Sequence, residues 1–299
     1  MICNICPRKC NVDRDKKLGI CGVPNDFAIS KAMLHFWEEP SVSGKSGSGT
    51  IFFAGCNMRC VFCQNFEISQ ERGNNYEIVN EEKLADIMIG LENKGANNIN
   101  LVSPMHYAHK IPTLVDLARK KGLTIPIVYN TNSYELVETL QNLNGKVDVY
   151  LADIKYCDDE LSKKYSKTKE YFDVAFEAIK EMYYQVGKTE FEDGLLKRGV
   201  LVRILVLPTH VLDAKRIIKK LYNEFGNNIS YSLMNQYCPL YKATEYPEIN
   251  RDLTVKEYNR IVDYAMNLGI ENGFIQAEKM RENGKKSIYT PDFDLGGIE

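Results

Sequence analysis

Tryptophan occurs once and histidine four times in these 299 residues, and neither charge dominates: 38 Lys and Arg face 40 Asp and Glu, a net charge of -2. That balance argues against a general nucleic-acid or polyanion binder, which carries a basic stripe. No apolar run approaches the roughly 18 residues of a membrane-spanning helix. The opening Met1-Ile2-Cys3-Asn4-Ile5-Cys6 has no leader layout. The expectation is a soluble, cytoplasmic protein with no membrane or nucleic-acid partner. Proline (10) and glycine (20) are too few for a disordered or collagen-like chain, and 44% hydrophobic residues suit a globular one. The Gly/Ser stretch Ser41–Gly49 lacks the order of a phosphate loop and reads as a linker or loop.

Cysteine is what the chain has in quantity. Four of nine lie at Cys3, Cys6, Cys10 and Cys21, three at Cys56, Cys60 and Cys63, and Cys157 and Cys238 stand apart. Tight clusters in a chain this long point to metal rather than to a disulfide framework, and the odd total leaves a thiol over in any pairing scheme. The first ~45 residues have few periodic apolar positions, so residues 1–45 read as a four-cysteine module stapled by metal, with residues 46–299 a separate domain. Spacing does not separate zinc from an auxiliary iron–sulfur cluster there. Cys157 and Cys238 read as small buried hydrophobes.

After the linker, strand and helix alternate. β-rich runs lie at Thr50–Ala54, Ile99–Val102, Ile125–Tyr129, Val147–Leu151, Val200–Leu207 and Ile229–Leu233, with a short last run at Gly273–Ile275. Helical patterns fall between them, among them one that Asn80 would cap and others at Tyr134–Leu143 and Thr254–Leu268. This succession predicts an α/β fold with a parallel sheet, either doubly wound or curled into a partial or full barrel, behind the N-terminal module. Chemistry in such sheets gathers at the carboxyl ends of strands. Those ends carry Cys56, Ser103, Asn130-Thr131, Asp153 with Lys155, Pro208 with His210, and Asn235-Gln236. Asp153 and Lys155, two apart, share a face. Glu38-Glu39 reads as a solvated edge, and the run His35-Phe36-Trp37 as packing between module and barrel.

Cys56-x3-Cys60-x2-Cys63 leaves the first barrel strand. Three thiolates this close can hold three irons of a [4Fe–4S] cubane and leave the fourth open to a chelating ligand. A structural zinc completed by His106 or His109 is the duller alternative.

At these residues the sequence resembles the radical SAM superfamily, whose hallmark Cys-x3-Cys-x-aromatic-Cys is matched by Cys56, Cys60, Phe62 and Cys63. The resemblance implies a partial (β/α)6 TIM-like barrel, a [4Fe–4S] cluster, S-adenosylmethionine on its open iron, Phe62 beside the adenine, and reductive cleavage to a 5′-deoxyadenosyl radical that abstracts hydrogen. Within the superfamily the chain is similar to pyruvate formate-lyase activating enzymes, in a branch with an N-terminal cysteine cluster. That likeness starts at Cys3-x2-Cys6-Pro7-Arg8-x-Cys10 with Gly19-x-Cys21-Gly22, and runs on through Leu101–Pro104, Tyr129–Asn132, Asp153–Tyr156 and Leu233–Tyr237. It implies that Asp153, Lys155 and Arg203 lie at S-adenosylmethionine, that a flavodoxin- or ferredoxin-like protein donates electrons, and that a glycyl-radical protein is a candidate substrate. Two departures stand out: Ser103-Pro104-Met105-His106 replaces the family's Gly-Gly-Glu, and Asn130 replaces an Asp that binds a monovalent cation. Radical modification of a peptide or small molecule is the alternative reaction, and a non-catalytic metal-binding scaffold the alternative class.

Overall fold

The computed structural model describes residues 2–70 and 76–276, together with Pro291, Phe293 and the backbone of Gly297 and Ile298. Among the described residues eleven strands form one sheet system: β1 (Phe27–His35), β2 (Ser48–Phe53), β3 (Glu77–Val79), β4 (Ile99–Val102), β5 (Ile127–Thr131), β6 (Val149–Asp153), β7 (Glu190–Glu192), β8 (Leu195–Leu205), β9 (Ser230–Met234), β10 (Gly273–Ile275) and β11 (Gly297–Ile298). The spatial order is β10-β9-β8-β6-β5-β4-β2-β1-β11. From β2 to β10 every neighbour on this path is parallel, whereas β1 runs antiparallel to β2. The sheet curls as a partial barrel and is not closed, in agreement with the expected architecture.

The period of two along each strand sorts the interior from the exterior. Tyr129, Tyr150, Ala152, Val200 and Val202 join the large core under the outer helices, while Val128, Val149, Leu151 and Leu201 pack with Val42 in a separate cluster inside the barrel. By the same alternation Asn130, Asp153 and Arg203 follow Val128, Leu151 and Leu201 on the inner face. The parallel strands connect through helices, as crossover geometry requires. The short α1 (Pro40–Ser43) and α2 (Phe66–Ser69) precede α3 (Glu81–Asn93), α4 (Ile111–Lys120), α5 (Val137–Leu140), α6 (Asp159–Ser166), α7 (Tyr171–Val186), α8 (Val211–Phe225) and α9 (Val255–Leu268). Asn80 caps α3 by accepting from Lys83 N–H, and Thr254 with Glu257 forms a capping box on α9.

Three stretches differ from the sequence reading. Residues 27–35, grouped with the N-terminal module, form β1, and Phe27, Ala28, Ile29 and Ala32 lie in the main core. The Gly/Ser stretch is no solvated linker: Ser41, Val42, Ser43, Ser48 and Thr50 are buried, and it supplies α1 and the start of β2. The helix expected over 134–143 shrinks to α5 and a 3-10 turn at Gln141–Leu143, because Asn132 Oδ1 takes the Tyr134 N–H and the Ser133 carbonyl takes that of Glu135.

Candidate active site

The carboxyl ends of the strands surround a cavity of about 760 Å³. Its mouth is lined by Cys56, Cys60, Phe62, Cys63, Lys155 and Tyr237, its middle by Asn130, Asp153, Arg203, Glu38 and Glu39, and its far end by Pro40 and Ser43 of α1. Strand β1 explains the last group. It runs against β2, with His35 opposite Ser48 at the start of that strand, so the residues after it enter the barrel from the end opposite the cysteines.

The middle layer is an ion network. Arg203 donates from Nε to Asp153 Oδ1 at 2.7 Å, from Nη1 to Glu38 Oε2 at 3.1 Å and from Nη2 to Asn130 Oδ1 at 2.5 Å. Asn100 and Asn130 donate to Glu38 Oε1 at 2.8 and 3.3 Å, and Lys155 Nζ donates to Asp153 Oδ2 at 2.6 Å. Burial by itself would raise the Asp153 carboxyl; Arg203 and Lys155 more than reverse this and hold it below the usual range. Burial pushes Glu39 up, against the pull of Arg203 and with the repulsion of Glu38. Glu38 and Glu39, read as a solvated edge, are therefore interior residues. Their signal in the sequence was the apolar run 27–34 just before them, which marks a strand and turns the pair inward.

Each thiol of the triplet has its own side-chain partner. Ser166 Oγ donates to Cys60 Sγ at 3.0 Å, Asn132 Nδ2 to Cys56 Sγ at 3.4 Å, and Ser69 Oγ lies 3.2 Å from Cys63 Sγ. None of the three serves in a disulfide. Burial raises all three, Cys60 to about 12, and their mutual repulsion adds to it for Cys60. A buried thiolate set of this kind demands compensating positive charge, which iron supplies; Lys155 contributes a share by lowering each thiol. Among the described residues no three His, Cys, Asp or Glu side chains close around a single ion. A cubane distributes its thiolates over separate irons and needs less convergence than one zinc. The donor set thus fits a cluster, and the unpaired donors of Lys155 at the same mouth fit a carboxylate ligand.

Phe62 lies against Tyr237 and Tyr156, with ring centroids 5.7 and 6.4 Å away. His106 does not approach the triplet as a zinc ligand: it packs on Tyr107 with centroids 4.4 Å apart, and neither it nor His109 lines the cavity. His210 is engaged with Tyr165 at 3.0 Å, away from the cavity. Ser103, Thr131 and Gln236 line the cavity; Pro208 and Asn235 do not. Phe36 and Trp37 are about half exposed at its rim rather than packed between two units. Cys238 is buried, as expected of an apolar filler, and Cys157 half-buried. In the N-terminal loops Cys3, Cys6 and Cys21 are buried and Cys10 half-buried, all four without disulfides. Among the described residues no helix is long and apolar enough to cross a membrane.

Comparison with known proteins agrees with this geometry. A 35% identical relative, "Uncharacterized protein MJ0674" of Methanocaldococcus jannaschii, aligns over 88% of this chain and 74% of its own length. Among solved structures, methylornithine synthase (PylB) superposes with a TM-score of 0.52 at 15% identity over 96% of this chain and 80% of that one. Streptococcus suis SuiB bound to precursor peptide SuiA does so with 0.51 at 13% identity, over 74% of this chain and only 46% of that one. These two likenesses concern the fold. The family described as Radical SAM superfamily matches residues 50–221, from the strand that feeds Cys56 through the end of the network at Arg203 and into α8. The cysteine loop, the strands β4 to β8 and the network residues Asn130, Asp153 and Arg203 fall within that match, with Glu38 before it and β9 and β10 after it: the chain belongs to the radical SAM superfamily.

Proposed function

We propose that the chain is a radical SAM enzyme of the activating-enzyme-like kind, with a [4Fe–4S] cluster on Cys56, Cys60 and Cys63 and S-adenosylmethionine bound between that cluster and the inner ion network. The observation that carries this reading is the mouth of the cavity, where three thiols, Cys60 buried and Cys56 and Cys63 half-buried, each with a hydrogen-bond partner, face the same space as Lys155. Lys155 meets the methionyl carboxylate, and Asp153 holds Lys155 in place at 2.6 Å. Phe62 offers the adenine an apolar face. Arg203, Glu38 and Asn130 keep the layer beneath rigid, and the apolar cluster around Val42, Val128 and Leu201 closes the barrel below it against water. When bound, the cluster supplies one electron that splits the sulfonium to methionine and a 5′-deoxyadenosyl radical. Its organic chemistry belongs to the cofactor, while the protein binds and orients. The hydrogen comes from a group that reaches the inner cavity, on a glycyl-radical partner protein, a peptide or a small molecule, and a flavodoxin- or ferredoxin-like donor delivers the electron.

Anaerobic reconstitution with iron and sulfide, then reduction in the presence of S-adenosylmethionine, is expected to yield 5′-deoxyadenosine. Cys60→Ala is expected to lose that product and the iron of the triplet. Continued formation of 5′-deoxyadenosine by the variant overturns the ligand assignment.

A further inference from the structure

The radical site has a neighbour that the reading above leaves without a task, the four-cysteine loops at the N-terminus. They grip the Cys56–Cys63 loop directly. Cys56 N–H donates to the Cys21 carbonyl at 3.3 Å, and the Arg59 guanidinium donates to the Ile20 carbonyl. Arg8, between Cys6 and Cys10, donates to the Asn57 carbonyl at 2.7 Å and to the Lys167 carbonyl at 2.5 Å. It thereby joins the cysteine loop to the end of α6, where Ser166 donates to Cys60. At Gly55, with φ of +80°, an added Cβ would lie 2.5 Å from the Cys21 oxygen, so the two backbones touch. The gripping loops have little to hold themselves together. Ile2, Leu18 and Ile20 are exposed; beyond a small hairpin, in which Cys3 N–H donates to Val12 O, Asn11 N–H donates to Cys3 O and Ile2 bridges Asp13, the backbone closes in short turns such as Lys9 N–H to Cys6 O, with Lys9 and Asn11 at positive φ. Every gripping atom lies on or within two residues of a cysteine of the set. A cross-link through those thiols would fix the grip, and soft thiolate-seeking metal is the chemistry that four thiols without disulfides invite.

We propose that Cys3, Cys6, Cys10 and Cys21 bind a thiolate-ligated metal centre whose role is to clamp the radical-cluster loop, so that occupancy of the first site controls how firmly the second holds its iron. What the clamped loop carries rests on the radical SAM reading; the clamp itself is a matter of contacts between two loops.

The full chain with C56A, C60A and C63A combined isolates the first site. Anaerobic treatment with iron and sulfide is expected to add about four irons to it, since no three donors among the described residues close around a single ion and a cluster spreads its thiolates over separate irons, and to slow amide exchange at residues 56–61 by about tenfold or more. Uptake of about one zinc from zinc ion alone, with the same slowing, would identify the centre as a single-ion site instead. No uptake by either route, or uptake with unchanged exchange at residues 56–61, overturns the proposal. A second variant, Arg8→Met in the otherwise unaltered chain, covers the case in which the triple variant does not fold. It is expected to keep the N-terminal metal and lose triplet iron severalfold faster to a chelator; equal retention overturns the clamp. An unaltered chain that takes up no triplet iron overturns the radical reading alone, because the metal-uptake and exchange measurements on the triple variant still decide the clamp.

Discussion

Arg203 shows how single side chains set this site. Its guanidinium directs donors to Asp153, Glu38 and Asn130 at once, so that two carboxylates can be buried beside each other without the cost of unpaired charge. Among the described residues the Lys155 ammonium has Asp153 as its one hydrogen-bond partner, which leaves donors for a ligand. Lys155→Ala is expected to weaken S-adenosylmethionine binding by about 2 kcal/mol, roughly thirty-fold in Kd, with triplet iron unchanged; equal binding by both proteins would remove Lys155 from the ligand. Ser69, 3.2 Å from Cys63 Sγ, acts on the cluster's electronics. A donor to sulfur favours the more negative, reduced state, so Ser69→Ala is expected to move the cluster's midpoint potential to a more negative value at constant iron content. A redox titration followed by electron paramagnetic resonance checks this, and an unmoved potential would assign Ser69 to packing. That Cys56, Cys60, Phe62, Cys63, Asp153, Lys155 and Asn130 line one cavity was legible from motif and strand-end position, and the place of Arg203 there from the family resemblance alone. Glu38, Ser69, Asn132 and Ser166 were not: their roles depend on partners between 6 and 165 residues away in the chain.

At the scale of elements, two loops matter. The segment after β1 carries Glu38 and Glu39 into the barrel, and β1 escaped the sequence reading because a chain segment crowded by cysteines on one side and Gly/Ser on the other looks coreless when taken alone. Its apolar residues find their core against β2, β3 and α3, with Phe27 also on Tyr107. The loop after β2 must turn at Gly55, where φ is +80° and the Cys21 carbonyl leaves no room for a methyl group. Gly55→Ala is therefore expected to destabilise the protein by more than about 1 kcal/mol, from backbone strain and steric displacement together, and to lower triplet iron. Urea denaturation and iron analysis measure the two effects, and wild-type values for both would mean that the loop yields without cost.

For the whole molecule, buried histidines add to the response to acid that Asp153, held low by Arg203 and Lys155, and Glu248, held low by Lys164, also give. Burial, reinforced by Arg14, holds His106 down to about 3, and burial lowers His35 and His109 to about 4 from an ordinary 6.5. Their folded values lie below their unfolded ones, so the unfolded chain binds more protons between those limits; stability is full above about pH 6.5 and falls as pH drops toward 3. Glu135, raised to about 7 by burial, works in the opposite sense and costs stability as pH rises from 4.5 through 7. His106→Leu is expected to keep its fold at pH 8 and to flatten the acid limb by up to about 1.4 kcal/mol per pH unit, the value of one proton; denaturation at pH 4.5 and 6 with an unchanged slope would show that His106 does not bind the proton. The amino-acid order by itself determined the βα succession, the sense of the partial barrel and the thiol triplet, because these follow from local periodicity and from ligands within eight residues. Only the tertiary structure decided what fills the barrel beneath the triplet and what holds the triplet from outside. Both depend on an antiparallel strand and on loops whose partners lie on distant strands, and pairing over such separations is set by shape and charge in three dimensions, which no local pattern in the chain records.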